Sequence, residues 1–179
     1  HKGLIVVCFD AGKNLRLDYI QHDWGAMFGK LSWVDKRQGT GDLLAGLPLW
    51  VCKTVGGTTV HWAGASLRFK DHEFRARSQY GEIEGANLLD WPIDPNEMER
   101  FYSMAEDKMG TTGTHGIPRL PGNNNYQVME YGAKALGYSD VHTGNMSINS
   151  QPRDGRPGCH QIGFCMAGCA IGAKWSTLY

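Results

Sequence analysis

A chain of 179 residues, 41% apolar and 20% charged, has room for one domain or one and a fraction, and the composition of a folded protein rather than a disordered one. Eighteen Lys and Arg balance eighteen Asp and Glu, so there is no basic field to hold a nucleic acid. The longest apolar runs, 3–9 and 43–52, fall short of the roughly 18–20 residues needed to span a bilayer, so no segment is expected to cross one.

Glycine supplies 24 of the 179 residues, about twice the ~7% of an average protein, so many positions must turn tightly or approach something closely. The chain begins with His1 and enters an apolar run at once, without a signal-like segment. It therefore reads as a piece of a longer protein.

Residues 4–9, Leu-Ile-Val-Val-Cys-Phe, are rich in β-branched side chains and close on Asp10, Ala11 and Gly12. That pattern predicts a strand buried on both faces. An acidic residue at the end of such a strand can accept from both hydroxyls of a ribose, although many strands end in Asp-x-Gly merely to turn. Residues 13–50 show no sustained period and predict surface segments with a short helix at most.

Residues 53–65 form a nearly charge-free stretch of small and hydroxyl side chains with one His and one Trp. Gly56 and Gly57 followed by Thr58 and Thr59 expose backbone N–H groups and hydroxyls to anything flat or anionic beside them. His61 suits either a ligand wall or a core position satisfied by a backbone carbonyl. The clearest helix follows Trp91, Pro92 and Ile93: Asp94 caps it, Pro95 opens it, Glu97 completes a capping box, and Met98, Phe101, Tyr102, Ala105 and Met109 share one face before Gly110 stops it. After a Gly- and Pro-containing loop over 110–125, a second helix is expected over 125–136, with Val128, Met129, Gly132, Ala133 and Leu136 inward and Gly137 as its stop.

Five cysteines exclude a fully paired disulfide framework. Cys8 and Cys52 sit in apolar surroundings and read as packing. Cys159, Cys165 and Cys169 lie within eleven residues, interleaved with Gly158, Gly163 and Gly168. Short glycine-rich thiolate runs of this type hold iron-sulfur clusters. Zinc, with His160 as fourth ligand, a disulfide and unligated thiols are the other readings.

Taken together, residues 7–12, the loop from Gly56 to Trp62 and the Trp91-Pro92-Ile93 helix entry resemble the glucose-methanol-choline family of flavin oxidoreductases. Residues 145–150, Asp154-Gly155-Arg156 and the segment from Cys159 to Ser176 are similar to the large subunits of bacterial sugar and sugar-acid dehydrogenases within it. The resemblance implies an α/β fold, the incomplete N-terminal part of a Rossmann-like FAD-binding domain that lacks its upstream glycine fingerprint. It places Asp10 on the adenosine ribose of FAD. Gly56, Gly57, Thr58, Thr59, Val60, His61, Trp62 and Ala63 then lie beside the flavin and pyrophosphate, His61 at the position that carries a covalent flavin in pyranose oxidases. Cys159, Cys165 and Cys169 match the ligands of a 3Fe-4S cluster.

The same resemblance implies oxidation of an alcohol or hemiacetal carbon of a sugar, sugar acid or polyol, with electrons leaving through the cluster to a haem protein or quinone. It also implies a small chaperone-like subunit, a cytochrome c subunit, membrane contact only through a partner, a periplasmic location and a catalytic base beyond Tyr179. An oxygen-reducing sugar oxidase and a zinc-stabilised binding module are the competing expectations.

Overall fold

The computed structural model describes residues 3, 5–14, 52, 54–163 and 165–179. The expectations for 15–51, for Leu4, Lys53 and Phe164, fall outside them. The chain divides into two compact units, His1–Gly64 with Gln151–Tyr179, and Ala65–Ser150. Among the described residues no helix is long and apolar enough to cross a membrane.

In the Ala65–Ser150 unit, two short helices, α1 (Asp71–Phe74) and α2 (Ala76–Tyr80), precede the long α3 (Pro95–Met109) and α4 (Asn124–Ala135). Helix α3 starts as its sequence dictates. The Asp94 carboxylate accepts from the Asn96 N–H at 2.9 Å, Pro95 occupies the first turn, and Gly110 leaves the helix at φ 67°. The expected capping box takes another form, because the Glu97 N–H donates to the Asp94 carbonyl at 2.9 Å.

The inward face of α3 is shifted from the apolar stripe. Phe101 and Met104 are exposed, whereas Glu106 is buried. Arg68 explains the exchange: its Nε and Nη2 donate to Glu106 Oε1 and Oε2 at 2.6 and 2.7 Å, and its Nη1 to Glu99 at 2.6 Å. A carboxylate met by a two-pronged guanidinium can be buried at a position a hydrophobic pattern reserves for Leu.

Helix α4 is capped by Asn123, whose side chain accepts from the Tyr126 N–H at 2.9 Å. It ends as expected at Gly137, with φ 89°, and the Tyr138 N–H returns to the Ala133 carbonyl at 3.1 Å. Its expected inward face is not buried: Val128, Met129 and Leu136 are 72, 71 and 80% exposed. Periodicity identifies residues that share a face, but burial requires a second surface, and the described residues of this unit place none there.

The centre of the unit is a polar knot. Ala65 and Met146 form an antiparallel bridge, the Ser66 N–H donates to the Asn145 carbonyl, and Thr112 exchanges bonds with the Met146 backbone. The buried Ser147 hydroxyl contacts the hydroxyls of Ser66 at 2.5 Å and Thr111 at 3.0 Å. Thus the run 145–150, singled out in the sequence, ties the ends of this unit together with hydrogen bonds where a small core would otherwise be stapled by apolar contact. Phe74 supplies the main aromatic packing, edge-on to Phe69 and Trp91.

In the other unit the expectation of a doubly buried strand over 4–9 is corrected. Residues 5–10 form no ladder, and Ile5, Val6, Val7 and Phe9 are 96, 76, 68 and 93% exposed. A strand has no hydrogen bonds within itself, so without paired neighbours it cannot cover its own faces. The described pairing begins at Lys13, in a parallel bridge with Thr54.

Candidate functional site

The Lys13–Thr54 bridge joins the segment just beyond Asp10 to the one leading into Gly56. The Val55 N–H donates to the Lys13 carbonyl at 3.0 Å and the Thr54 hydroxyl to the same oxygen at 2.8 Å. The Asp10 carboxylate accepts the Gly12 N–H of its own turn at 2.6 Å and is exposed. It is therefore both a turn residue and an available acceptor.

Residues Gly57–His61 form a 3-10 turn entered through Gly56 at φ 91°. The Thr59 hydroxyl donates to the Gly56 carbonyl at 2.6 Å, and the Thr58 hydroxyl accepts from the Cys52 N–H at 3.3 Å. Val60 and His61 are buried, Thr58 and Ala63 exposed. Trp62 is held edge-on against Trp175 and donates its indole N–H to the Trp175 carbonyl at 2.9 Å.

His61 is 3% exposed. Its Nδ1 lies 3.0 Å from the Met166 carbonyl, which can only accept, so Nδ1 carries the hydrogen and Nε2 a bare lone pair. Nε2 is buried and has no hydrogen-bond partner among the described residues. Burial pushes the imidazole below its ordinary 6.5; the Met166 bond opposes this and the Lys174 ammonium adds to it. The core-histidine reading thus describes one nitrogen and the open acceptor the other.

A stability consequence follows from the neutral ring. The unfolded chain takes up a proton at 6.5 while folded His61 stays neutral to lower pH, so the folded state loses stability as pH falls below 6.5 until the folded ring is itself protonated. The denaturant midpoint of the flavin-free full-length protein, followed from about pH 8 to about pH 5, is expected to drop in wild type and to drop less in His61→Gln. Identical slopes would refute this.

The cysteine segment packs on the same turn. Cys159, Cys165 and Cys169 are half-buried free thiols, and residues Cys165–Ala167 form a second 3-10 turn. The Gln161 N–H donates to Cys159 Sγ at 3.3 Å and the Lys174 N–H to Cys169 Sγ at 3.5 Å. Burial pushes the Cys165 thiol up, the Lys174 ammonium draws it back, and the Cys159 and Cys169 sulfurs raise it further. Among the described residues no three His, Cys, Asp or Glu side chains are disposed to hold a metal ion. The donors suit an iron-sulfur centre in chemistry, as soft thiols with N–H groups aimed at them, but not in assembled geometry.

Cys8 is exposed, not packed: among the described residues no strand pairs with 5–10. Cys52 is buried and lies within the field of Lys174 together with Cys165 and Cys169.

The sequence reading missed Lys174 to Thr177. Lys174 is 2% exposed, and its Nζ donates to the carbonyls of Trp62 at 2.7 Å, Val60 at 2.9 Å and Thr59 at 3.5 Å. Thr177 donates its N–H to the Thr59 hydroxyl at 3.0 Å and its hydroxyl to the Gly56 carbonyl at 2.8 Å. Hydropathy and spacing signal nothing here, because these contacts join residues more than a hundred positions apart.

A further triple, Ser103, His115 and Glu106, is not a nucleophile relay. Both partners reach the same imidazole nitrogen, Nε2, at 3.4 and 3.9 Å, whereas a relay needs the acid on the opposite one.

The chain matches no protein-family profile. It is 34% identical over 143 residues to the fructose dehydrogenase large subunit of Gluconobacter japonicus, across 72% of this chain and 25% of that protein. It is 30% identical over 134 residues to paromamine 6'-oxidase of Streptomyces fradiae, across 70% of this chain and 24% of that one. To the gluconate 2-dehydrogenase flavoprotein of Pantoea cypripedii it is 33% identical over 67 residues, 34% of this chain and 11% of that protein. The chain belongs to the glucose-methanol-choline family of flavoproteins. It spans about a quarter of the length of the first two relatives.

The fold of the family is Rossmann-like and FAD-binding. The turn fits a flat, hydrogen-bonding flavin on two observations. A Cβ added at Gly57 would meet nothing within 4 Å, so the backbone there is open to close approach, and His61 Nε2 is a buried acceptor without a partner.

Proposed function

We propose that this chain is the part of an FAD-dependent oxidoreductase that lies beside the flavin, in an enzyme oxidising a CH–OH group of a sugar, sugar acid or polyol. The observation that carries the reading is the family's sequence folded into a turn that offers one buried unpartnered nitrogen, His61 Nε2, next to an open glycine, Gly57. FAD, when bound, would accept the hydride of that oxidation and with it both electrons. The residues of this chain bind and orient: Asp10 accepts from the ribose, the backbone from Gly56 to Thr59 allows close approach, and neutral His61 offers a lone pair to a donor on the ring. Val60, Trp62 and Ala63 line the same approach.

The electron exit is drawn from the thiols. Cys159, Cys165 and Cys169 are the candidate ligands of an iron-sulfur cluster, supported by their free state, their mutual electrostatic influence and the two N–H groups directed at sulfur. A relative named as a large subunit supports an assembly with further subunits, for which a small chaperone-like chain and a cytochrome c are the partners we favour, in the periplasm. The oxygen-reducing alternative has its own support in a relative named as an oxidase.

Full-length protein purified aerobically and then made anaerobic should show a flavin spectrum that bleaches on adding an aldose, ketose or sugar acid, together with about three irons per chain. Iron with a dye or quinone acceptor turning over supports the dehydrogenase. Stoichiometric peroxide without iron would replace it by the oxidase, and colourless protein containing zinc would end the flavin reading altogether.

A further inference from the structure

A lysine ammonium loses far more on leaving water than a leucine would, so its burial asks what it holds. Lys174 has three donors, and the turn Gly57–His61 ends in carbonyls that its own short helix cannot satisfy. Thr59, Val60 and Trp62 present those oxygens to the one Nζ at 3.5, 2.9 and 2.7 Å. The backbone of the same residue faces the other way, its N–H donating to Cys169 Sγ. One residue therefore bonds the flavin-facing turn with its side chain and the thiol segment with its main chain. On either side of it, the Trp175 carbonyl takes the Trp62 indole N–H and Thr177 grips Gly56 and Thr59.

We propose that Lys174 is a positioning residue for the flavin: its ammonium caps the turn Gly57–His61 and sets that turn, and with it His61, against the cysteine segment. The proposal rests on the flavin reading given above. It assigns to Lys174 no contact with substrate or flavin. Its effect runs through the place of the 57–62 backbone and the His61 Nδ1 bond to the Met166 carbonyl. A methionine keeps the apolar stem and removes the donors. An arginine keeps the charge, but its planar fork cannot set one nitrogen among three carbonyls.

The test uses full-length protein, stripped of flavin and titrated with FAD, with visible circular dichroism of the bound flavin as a signature of ring environment. Lys174→Met is expected to weaken FAD binding by at least about tenfold, as loss of charge-assisted hydrogen bonds implies. Its circular dichroism should change in the same sense as in His61→Ala. Lys174→Arg should show a smaller change of the same kind. Wild-type affinity and dichroism in Lys174→Met, with His61→Ala altered, would overturn the positioning role and leave the flavin reading intact. If His61→Ala is also unaltered, the flavin does not lie at this turn and both fall. Should Lys174→Met fail to fold, Lys174→Arg decides: a shifted dichroism at unchanged melting temperature supports the proposal, and a wild-type spectrum overturns it.

Discussion

Arg68→Leu is expected to cost about 3–5 kcal/mol of stability at neutral pH, because it leaves the Glu106 carboxylate buried with only the His115 imidazole, 3.9 Å away, beside it. The Glu106 side chain is 5% exposed and that of Arg68 35%, so the two halves of the pair are unequal. Removing the carboxylate instead, as in Glu106→Gln, leaves a guanidinium that still reaches water and Glu99, and should cost about 1–3 kcal/mol. Arg68 also lies 5.4 Å from the centre of the Tyr102 ring, so Leu forfeits a cation–π contact as well. The double variant Arg68→Leu/Glu106→Leu should recover most of the loss, since a paired charge exchanged for apolar volume is often neutral. Denaturant unfolding of the full chain measures all three. If Arg68→Leu lies within about 1 kcal/mol of wild type, Glu106 is solvated in solution and the buried pair is not what orients α3.

Gly56→Ala should damage the turn twice over. Gly56 stands at φ 91°, where a side chain is strained, and the new Cβ would lie 2.9 Å from both Leu178 Cγ and Val60 Cγ2. Val60 is buried, so its methyl does not yield without disturbing the packing of the turn. Strain and overpacking together are expected to cost on the order of 2–5 kcal/mol and to abolish FAD retention. Gly57→Ala separates packing from ligand approach. At φ 55° it bears only the left-handed penalty of about 1–2 kcal/mol, with no atom within 4 Å of the added carbon. A fall in FAD affinity larger than that penalty implies would locate the flavin over Gly57. Equal behaviour of the two alanines, in melting temperature and in FAD retention, would refute the assignment of Gly56 as the packed position and Gly57 as the open one.

Chemistry encoded by near neighbours was legible before any coordinates. Asp94, Pro95 and Gly110 bounded α3, and Gly137 marked the end of α4, because capping and left-handed turns are settled within four or five residues; the Asn123 cap of α4 lay inside the expected loop. The Gly56 to Trp62 turn and the cysteine run were equally readable as candidate sites, since residue type and spacing suggest their chemistry. The apolar faces of α3 and α4 were over-read. Phe101, Val128, Met129 and Leu136 obey the helical period yet are exposed. A period states only which residues share a side.

By itself, then, the sequence determined the family and the approximate spans of the two long helices, and it marked the Gly56 to Trp62 turn and the cysteine run as candidate sites, each through local pattern or direct likeness to relatives. Only the tertiary structure decided that Glu106 goes inside against Arg68, that His61 spends Nδ1 on Met166 and keeps Nε2 open, and that Lys174 caps a turn 112 to 115 residues away. The reason is electrostatic. Burial of a charge or a ring nitrogen depends on a partner brought by the fold from far along the chain, and no local window contains both.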